Sequence, residues 1–162
     1  MTRRDNRNLQ QFKQDIKISH KIELELMTIY VNWLNSAKGG GYSFKNYGVD
    51  NSGKFIPNDK EVSLNADFLL CRDSFSDRKI EIKFCREDYN EFHLKVHQIN
   101  DYIKEDVCVV NFMGINTNKK RFCILTPTTL KEALNKGPIV TKWSKPCLRF
   151  KCKDFAWIEC NV

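Results

Sequence analysis

Two short segments in which side chains alternate between an apolar and a more polar face constrain the fold most. They span residues 64–71 and 79–85. The apolar face carries Leu64, Ala66, Phe68 and Leu70 in the first segment and Ile80, Ile82 and Phe84 in the second. A period of two residues predicts a β-strand with one buried face. Because the connection over residues 72–78 is short and polar, we predict a hairpin centred on Ser74 or Phe75.

Helical spacing of apolar residues occurs on both sides of this hairpin. We predict one helix over residues 9–34, in one or two pieces, that stops before Gly39-Gly40-Gly41. A second helix is predicted over residues 87–103, with a stripe formed by Phe92, Val96, Ile99 and Ile103. Residues 42–60 are predicted to be a loop with room for a short edge strand.

The remaining chain predicts more strands and one short helix. Thr129 to Glu132 matches a capping box, so we expect a helix that begins there and stops at Gly137-Pro138. Strands are predicted at residues 107–112, 121–125, 139–143, 148–152 and 155–160. We therefore predict an α/β fold, with a mixed β-sheet flanked by helices in one domain over residues 1–162.

Composition supports a compact domain with a basic surface. The chain has 162 residues, of which 41% are hydrophobic, and 27 Lys+Arg against 20 Asp+Glu give a net charge of +7. No apolar run is long enough for a membrane span, and we expect no signal peptide. A basic surface suits a polyanion. Its clusters include Lys119, Lys120, Arg121, Lys142, Lys145 and Arg149.

The 7 cysteines are scattered, and most fall in predicted strands. We interpret them as reduced, buried thiols of an intracellular, cytoplasmic protein. The spacing of Cys147, Cys152 and Cys160 is unlike that of the usual zinc sites.

The predicted hairpin brings acidic residues together. Its centre places Asp67 across from Glu81 or Lys83, on the same face of the two strands. Neighbouring carboxylates repel each other unless a cation lies between them, and Mg²⁺ is their natural partner. Lys83 shares the face of Glu81, where an ammonium would orient water or stabilise charge on a phosphate. The alternative is a solvated face with cross-strand ion pairs.

Glu23 is a carboxylate within the apolar arc of the first predicted helix, whereas Glu25 falls on the polar side. A carboxylate that faces the interior must be paired, protonated or bound to a metal. We expect Glu23 to reach the same site as Asp67 and Glu81. A buried ion pair with a lysine or arginine is the alternative.

This order of residues resembles the PD-(D/E)xK nuclease superfamily, which has the restriction-endonuclease-like fold. The resemblance rests on Glu23, Asn65-Ala66-Asp67, Glu81-Ile82-Lys83 and His97-Gln98-Ile99, and it covers about residues 16–127. Ala66 stands where the family usually has proline. The resemblance implies a restriction-endonuclease-like core.

The resemblance also implies roles for individual residues. Asp67 and Glu81 would ligate Mg²⁺, or Mn²⁺ in its place, with the backbone carbonyl of Ile82 as a third ligand. Lys83 would position the attacking water, and Glu23 would bind a second metal or water. Gln98 matches a glutamine that several branches carry on the helix behind the active strand. The products in this family carry a 5′-phosphate and a 3′-hydroxyl.

From these observations we predict a Mg²⁺-dependent DNA endonuclease of the homing or restriction type, acting on double-stranded or branched DNA as a homodimer or higher homo-oligomer. The six basic residues named above are predicted to contact phosphates. The alternatives are a Holliday-junction resolvase-like nuclease and a non-catalytic nucleic-acid-binding domain, and RNA stays open as a substrate.

Overall fold

The computed structural model describes residues 8–47 and 66–160, which fall into two compact units divided between Ile82 and Lys83. The single domain over residues 1–162 stays a prediction. Leu64 of the first alternating segment and Asn65 of the nuclease motif lie outside the described residues.

The first unit begins with helix α1, Leu9–Ala37, which confirms the predicted first helix as one piece. Its start is fixed by a capping box, in which Asn8 accepts a hydrogen bond from the Gln11 amide at 2.8 Å. The helix ends before Gly39, Gly40 and Gly41, whose φ angles of 89°, 83° and 86° favour glycine. The Asn35 side chain spans this turn, since it accepts from the Tyr42 amide at 2.8 Å and donates to the Tyr42 carbonyl at 3.1 Å.

Three antiparallel strands complete the first unit: β1 Tyr42–Asn46, β2 Phe68–Arg72 and β3 Arg78–Phe84. The predicted hairpin of β2 and β3 is confirmed, with Phe68 paired to Ile80 and Leu70 to Arg78. This register centres the hairpin on Ser74, which takes a left-handed φ of 67°. Phe68, Ile80 and Ile82 are buried, as the alternation predicts. The short edge strand is β1, paired with β2.

Strand β3 continues into the second unit, which contains two sheets and two helices. Its remaining elements are β4 Glu91–Lys95, α2 Val96–Lys104, β5 Val107–Met113, β6 Arg121–Leu125, α3 Pro127–Lys136, β7 Ile139–Lys142, β8 Lys145–Lys151 and β9 Ile158–Glu159. One sheet runs in the strand order β3, β5, β6, β9, and the other in the order β4, β8, β7. Every residue of β5 is buried, as its mostly apolar sequence predicts, and this includes the polar Asn111.

The helices of the second unit pack on its sheets, α2 against β4, β5 and β8 and α3 against β6 and β8. The predicted α/β class, with helices flanking β-structure, is confirmed. Among the helices that the structure describes, none combines the length and the apolar character needed to cross a membrane.

The second predicted helix is wrong in its first half, because residues 91–95 form strand β4. Phe92 and Leu94 are buried on one face of β4, opposite Phe150 and Leu148 of β8. The rings of Phe92 and Phe150 stack with centroids 4.8 Å apart. This pairing with a distant strand overrides the helical spacing from Phe92 onward.

Two further boundaries differ from the sequence predictions. Helix α3 is capped by Thr126, whose hydroxyl accepts from the Thr129 amide at 3.2 Å, and Pro127 occupies its first turn. The predicted capping box at Thr129 is therefore wrong, although the helix does stop at Gly137. Of the predicted strand at residues 155–160, only Ile158–Glu159 is a strand, because a short 3₁₀ turn at Cys152–Asp154 interrupts the chain before it.

Substitution Phe92→Ala tests the assignment of β4. Phe92 is 3% exposed and also contacts Phe155 and Trp157, with centroids 5.8 and 6.1 Å away. We expect a loss of about 3–5 kcal/mol in the free energy of unfolding, measured by chemical denaturation. Tyr89→Ala is the control, because Tyr89 is 53% exposed. Equal effects of the two substitutions would contradict the packing of β4 against β8.

Candidate functional site

Asp67 is fixed across the hairpin from Glu81. It lies one residue before β2, and the Phe68 to Ile80 register, continued by one step, pairs it with Glu81 rather than with Lys83. Its Oδ2 accepts a hydrogen bond from the Ile82 amide at 3.0 Å, and its backbone carbonyl accepts from the Tyr47 amide at 3.1 Å. Both carboxylate residues are half-buried. The Ile82 amide thus fixes the carboxylate of Asp67, the Tyr47 amide fixes its backbone, and the strand register places Glu81 across from it.

Glu23 and Glu25 lie on α1 of the same unit. Glu23 is half-buried and Glu25 is exposed, which confirms the contrast expected from helical spacing. Within residues 8–47 and 66–160, no group of three or more His, Cys, Asp or Glu side chains is placed to hold a metal ion. The participation of Glu23 in one site with Asp67 and Glu81 therefore stays a prediction.

The carboxylates of Asp67 and Glu81 are compatible with Mg²⁺ even without a third carboxylate. Protein-bound Mg²⁺ is commonly held by one or two carboxylates, while water molecules and substrate phosphates complete its octahedral shell. Asp67 and Glu81 supply hard oxygen donors on adjacent strands, at the half-buried end of the hairpin. This donor set is compatible with Mg²⁺, and the binding of the ion stays a prediction.

Lys83 follows Glu81 by two residues on β3, so the two side chains project from the same side of that strand. In the second unit, Lys83 Nζ donates to Gln98 Oε1 at 3.4 Å. Gln98 lies in the first turn of α2, and both residues are half-buried. The structure thus brings together two residues that the sequence analysis selected. A neutral acceptor orients the ammonium without cancelling its charge.

Lys83 and Gln98 line a cavity of about 1070 Å³ in the second unit. Its charged side chains are three lysines, Lys83, Lys95 and Lys142, and one carboxylate, Glu91. This excess of positive charge suits an anionic ligand. The cavity is absent from the sequence predictions because β4, which contributes much of its wall, is predicted there to be helical. The alternation of Phe92 and Leu94 with His93 and Lys95 was the available signal.

His93 lies on β4 in this cavity, 3.2 Å from Lys142 through its Nδ1. Burial lowers the pKa of His93 from its usual 6.5, and the positive charges of Lys142 and Arg149 lower it further against the opposing effect of Glu91. His93 is therefore neutral at pH 7. An ammonium only donates, so Nδ1 accepts and the ring proton is assigned to Nε2.

Asn111 is a polar residue in the buried strand β5, only 2% exposed, and it also lines the cavity. Within the part of the chain that the structure describes, its Nδ2 has no hydrogen-bond partner. Cys123 lies across from it on β6. Burial raises the pKa of Cys123 to about 12, so its thiol stays protonated and is a weak acceptor.

The six basic residues predicted to contact DNA have different surroundings. Arg121 pairs with Asp88 at 3.0 Å and lies over the Trp157 ring at 4.4 Å, and Arg149 is 3.8 Å from Glu91. Lys142 and Lys145 are exposed at the end of the β7–β8 hairpin. Lys119 is exposed and Lys120 is half-buried in the turn before β6. Their contacts with phosphates stay predictions.

No protein-family model matches this chain, and no curated protein matches its sequence. Among solved structures, it is similar to Archaeoglobus fulgidus Hjc, a Holliday junction resolvase from an archaeal hyperthermophile. The similarity covers 78% of this chain and 84% of that protein, with 7% identity and a TM-score of 0.40. A TM-score this low, at this identity, establishes neither a shared fold nor shared residues.

Two substitutions of Asp67 separate its hydrogen bond from its charge. Asp67→Ala leaves the amide of buried Ile82 without its acceptor, so we expect a loss of about 1–3 kcal/mol in the free energy of unfolding. Asp67→Asn keeps an acceptor oxygen and should lose less. Asp73→Ala, in the exposed hairpin turn, is the control, with an expected change within about 0.5 kcal/mol. The anchoring role is refuted if Asp67→Ala matches this control.

The lowered pKa of His93 makes stability depend on pH. Because the folded state holds the proton less tightly than the unfolded state, stability from this group is present above pH 6.5 and is lost as the pH falls below it. Wild type should therefore lose more stability between neutral and acidic pH than His93→Asn, in denaturation at each pH. A titration of the His93 ring by NMR with a midpoint at or above 6.5 would contradict this expectation.

Proposed function

We propose that this chain is a Mg²⁺-dependent DNA endonuclease that hydrolyses phosphodiester bonds. The observation that carries the proposal is the arrangement around β3. Asp67 is held across from Glu81 by the Ile82 amide, and Lys83 follows Glu81 on the same side of the strand. This arrangement agrees with the order Asp, Glu-x-Lys that underlies the resemblance to PD-(D/E)xK nucleases.

The carboxylates of Asp67 and Glu81 would hold the metal, with the carbonyl of Ile82 as a third ligand and Mn²⁺ able to replace Mg²⁺. When bound, the ion supplies positive charge that favours ionised water and stabilises the pentacovalent phosphate and the leaving oxygen. Lys83 donates a hydrogen bond to the attacking water and adds positive charge beside the phosphate.

Gln98 and Glu23 have supporting roles in the proposal. Gln98 accepts a hydrogen bond from Lys83 and thereby limits the positions of its ammonium. Glu23 binds a second metal ion or a water. Its half-buried position on α1 keeps a carboxylate partly desolvated, where a nearby cation interacts with it more strongly.

The substrate in this proposal is double-stranded or branched DNA. The cavity that Lys83 lines carries three lysines, Lys142 among them, against one glutamate. Further cationic surface comes from Lys119, Lys120 and Lys145. The enzyme acts as a homodimer or higher homo-oligomer, because cutting both strands uses two active sites. Its cysteines are free thiols, which agrees with an intracellular, cytoplasmic location.

The decisive experiment incubates purified protein with supercoiled plasmid, a four-way junction or single-stranded RNA, in Mg²⁺ or in EDTA. The junction is included because the Archaeoglobus fulgidus protein is a Holliday junction resolvase. We expect cutting in Mg²⁺ only, and a rate at least about 100-fold lower for Lys83→Ala, since the variant loses a charge that acts on the transition state. Lys131→Ala, exposed on α3, removes the same charge and should cut normally.

The substrates distinguish the candidate activities. Preference for the four-way junction favours a resolvase over a homing or restriction-type enzyme. Cutting of RNA alone would replace DNA as the substrate. Binding of DNA without cutting, unchanged by Mg²⁺, would replace the nuclease with a non-catalytic nucleic-acid-binding domain.

Metal binding is tested separately by thermal unfolding. An ion that binds only the folded state stabilises it, by about 2.7 kcal/mol at one hundred times its Kd, so Mg²⁺ should raise the Tm of the wild type. Asp67→Asn and Glu81→Gln should each abolish most of this shift. The control Glu25→Gln, on the exposed side of α1, should retain it. A wild type whose Tm does not respond to Mg²⁺ or Mn²⁺ would refute the metal site.

A further inference from the structure

The β7–β8 hairpin displays a tryptophan in a backbone conformation that such residues rarely adopt. Lys142 pairs with Lys145, so the turn between the strands consists of Trp143 and Ser144. Their φ angles are 54° and 60°. Positive φ at both central residues is typical of a type I′ turn, which strongly favours Asn-Gly. A bulky side chain at this position is a genuine outlier.

The exposure of Trp143 and the charge next to its ring indicate a role for this side chain. The side chain is not buried to offset the strained backbone, since Trp143 is 50% exposed. Lys142 Nζ lies 4.8 Å from the centre of the ring, where it provides a cation next to the aromatic face. A strained residue that gains little from packing points to a role in binding.

Trp143 also lines the cavity that contains Lys83 and Gln98. An exposed aromatic ring and several lysines around one concave space match the two needs of a nucleotide, stacking for the base and positive charge for the phosphate. The volume of about 1070 Å³ accommodates a single nucleotide. Bases inside a continuous duplex are already stacked on each other, so their faces are closed to the indole ring.

We propose that Trp143 stacks on an unpaired base, and that the cavity takes up one nucleotide from a single-stranded, gapped or branched region of the substrate. Lys142 and Lys95 neutralise its phosphates. This inference rests on the proposed nucleic-acid substrate and deepens it, because it names unpaired nucleotides as the structural feature recognised. The excess of lysines over carboxylates around the ring favours this ligand over a peptide.

The test measures binding by fluorescence anisotropy in EDTA, so that no cutting occurs, at one fixed salt concentration. The probes are a continuous DNA duplex and the same duplex with a one-nucleotide bulge in its centre. Trp143→Asn should weaken binding to the bulged DNA by about 5- to 100-fold and leave binding to the continuous duplex unchanged. Trp143→Tyr keeps an aromatic face and should retain most of the preference.

Trp143→Asn also separates recognition from folding. Asn is favoured at positive φ, so the variant should have a Tm equal to or above that of the wild type. Ile139→Thr is the matched control, because Ile139 is 56% exposed on β7, the strand that leads into the turn with Trp143, and is not among the residues that line the cavity. It should bind both DNAs as the wild type does.

A direct readout of stacking uses 2-aminopurine as the bulged base, whose fluorescence is quenched by a stacked ring. Quenching by the wild type that is lost in Trp143→Asn supports the inference. Equal affinities of the wild type and Trp143→Asn for bulged DNA would overturn it. Equal losses on bulged and continuous DNA would also overturn it.

The result is distinguishable from that of the nuclease test. A protein that binds bulged DNA through Trp143 but never cuts retains this inference and loses the proposed activity. A protein that cuts duplex DNA and is indifferent to Trp143→Asn retains the activity and loses this inference. A wild type that binds neither DNA in EDTA overturns this inference, and it overturns the proposed activity as well only if it also cuts no substrate in Mg²⁺.

Discussion

The hydrogen bond from the Ile82 amide to Asp67 makes the proposed metal site depend on the register of one hairpin. A strand that slips by one residue turns every side chain to the other face. Burial of Ile80 and Ile82 penalises such a slip, because it would expose both residues. The same apolar packing therefore keeps Glu81 and Lys83 on the opposite face. The proposed site residues Glu81 and Lys83 need no further interaction to fix the face of β3 on which they lie.

In the second unit, two lysine side chains donate hydrogen bonds to neutral acceptors. Gln98 accepts a hydrogen bond from Lys83, and neutral His93 accepts one from Lys142. Arg121 and Arg149, in contrast, face Asp88 and Glu91. An ion pair reduces the potential that a phosphate experiences, whereas an amide or imidazole acceptor restricts geometry and leaves the net charge intact. The charged residues that line the cavity, three lysines and one glutamate, favour an anion.

The sequence predicts the elements whose pattern has one interpretation. Three patterns correspond to elements of the structure: the alternation around Ile80, the long apolar arc of α1 and the mostly apolar run of β5. Residues 91–95 were mispredicted because Phe92 fits both a helical stripe and a two-residue alternation, and its pairing with Phe150 is distant in sequence. The same distinction between local and distant contacts applies to the residues of the candidate site. The Asp67 and Glu81 pair follows from a local hairpin, but the cavity depends on strands far apart in the chain.

The hydrogen bonds between Asn35 and Tyr42 restrict the three glycines that connect α1 to β1 in the first unit. Without these hydrogen bonds the segment Gly39-Gly40-Gly41 would be a flexible connection with high conformational entropy. One amide side chain closes this short stretch into a ring by bonding both the N–H and the carbonyl of Tyr42. The direction in which β1 leaves α1 is thereby set by a side chain, while the glycines only permit it. The side-chain amide of Asn35 therefore restricts the conformation of the glycine segment. Loss of this one amide would restore the conformational freedom of the three glycines.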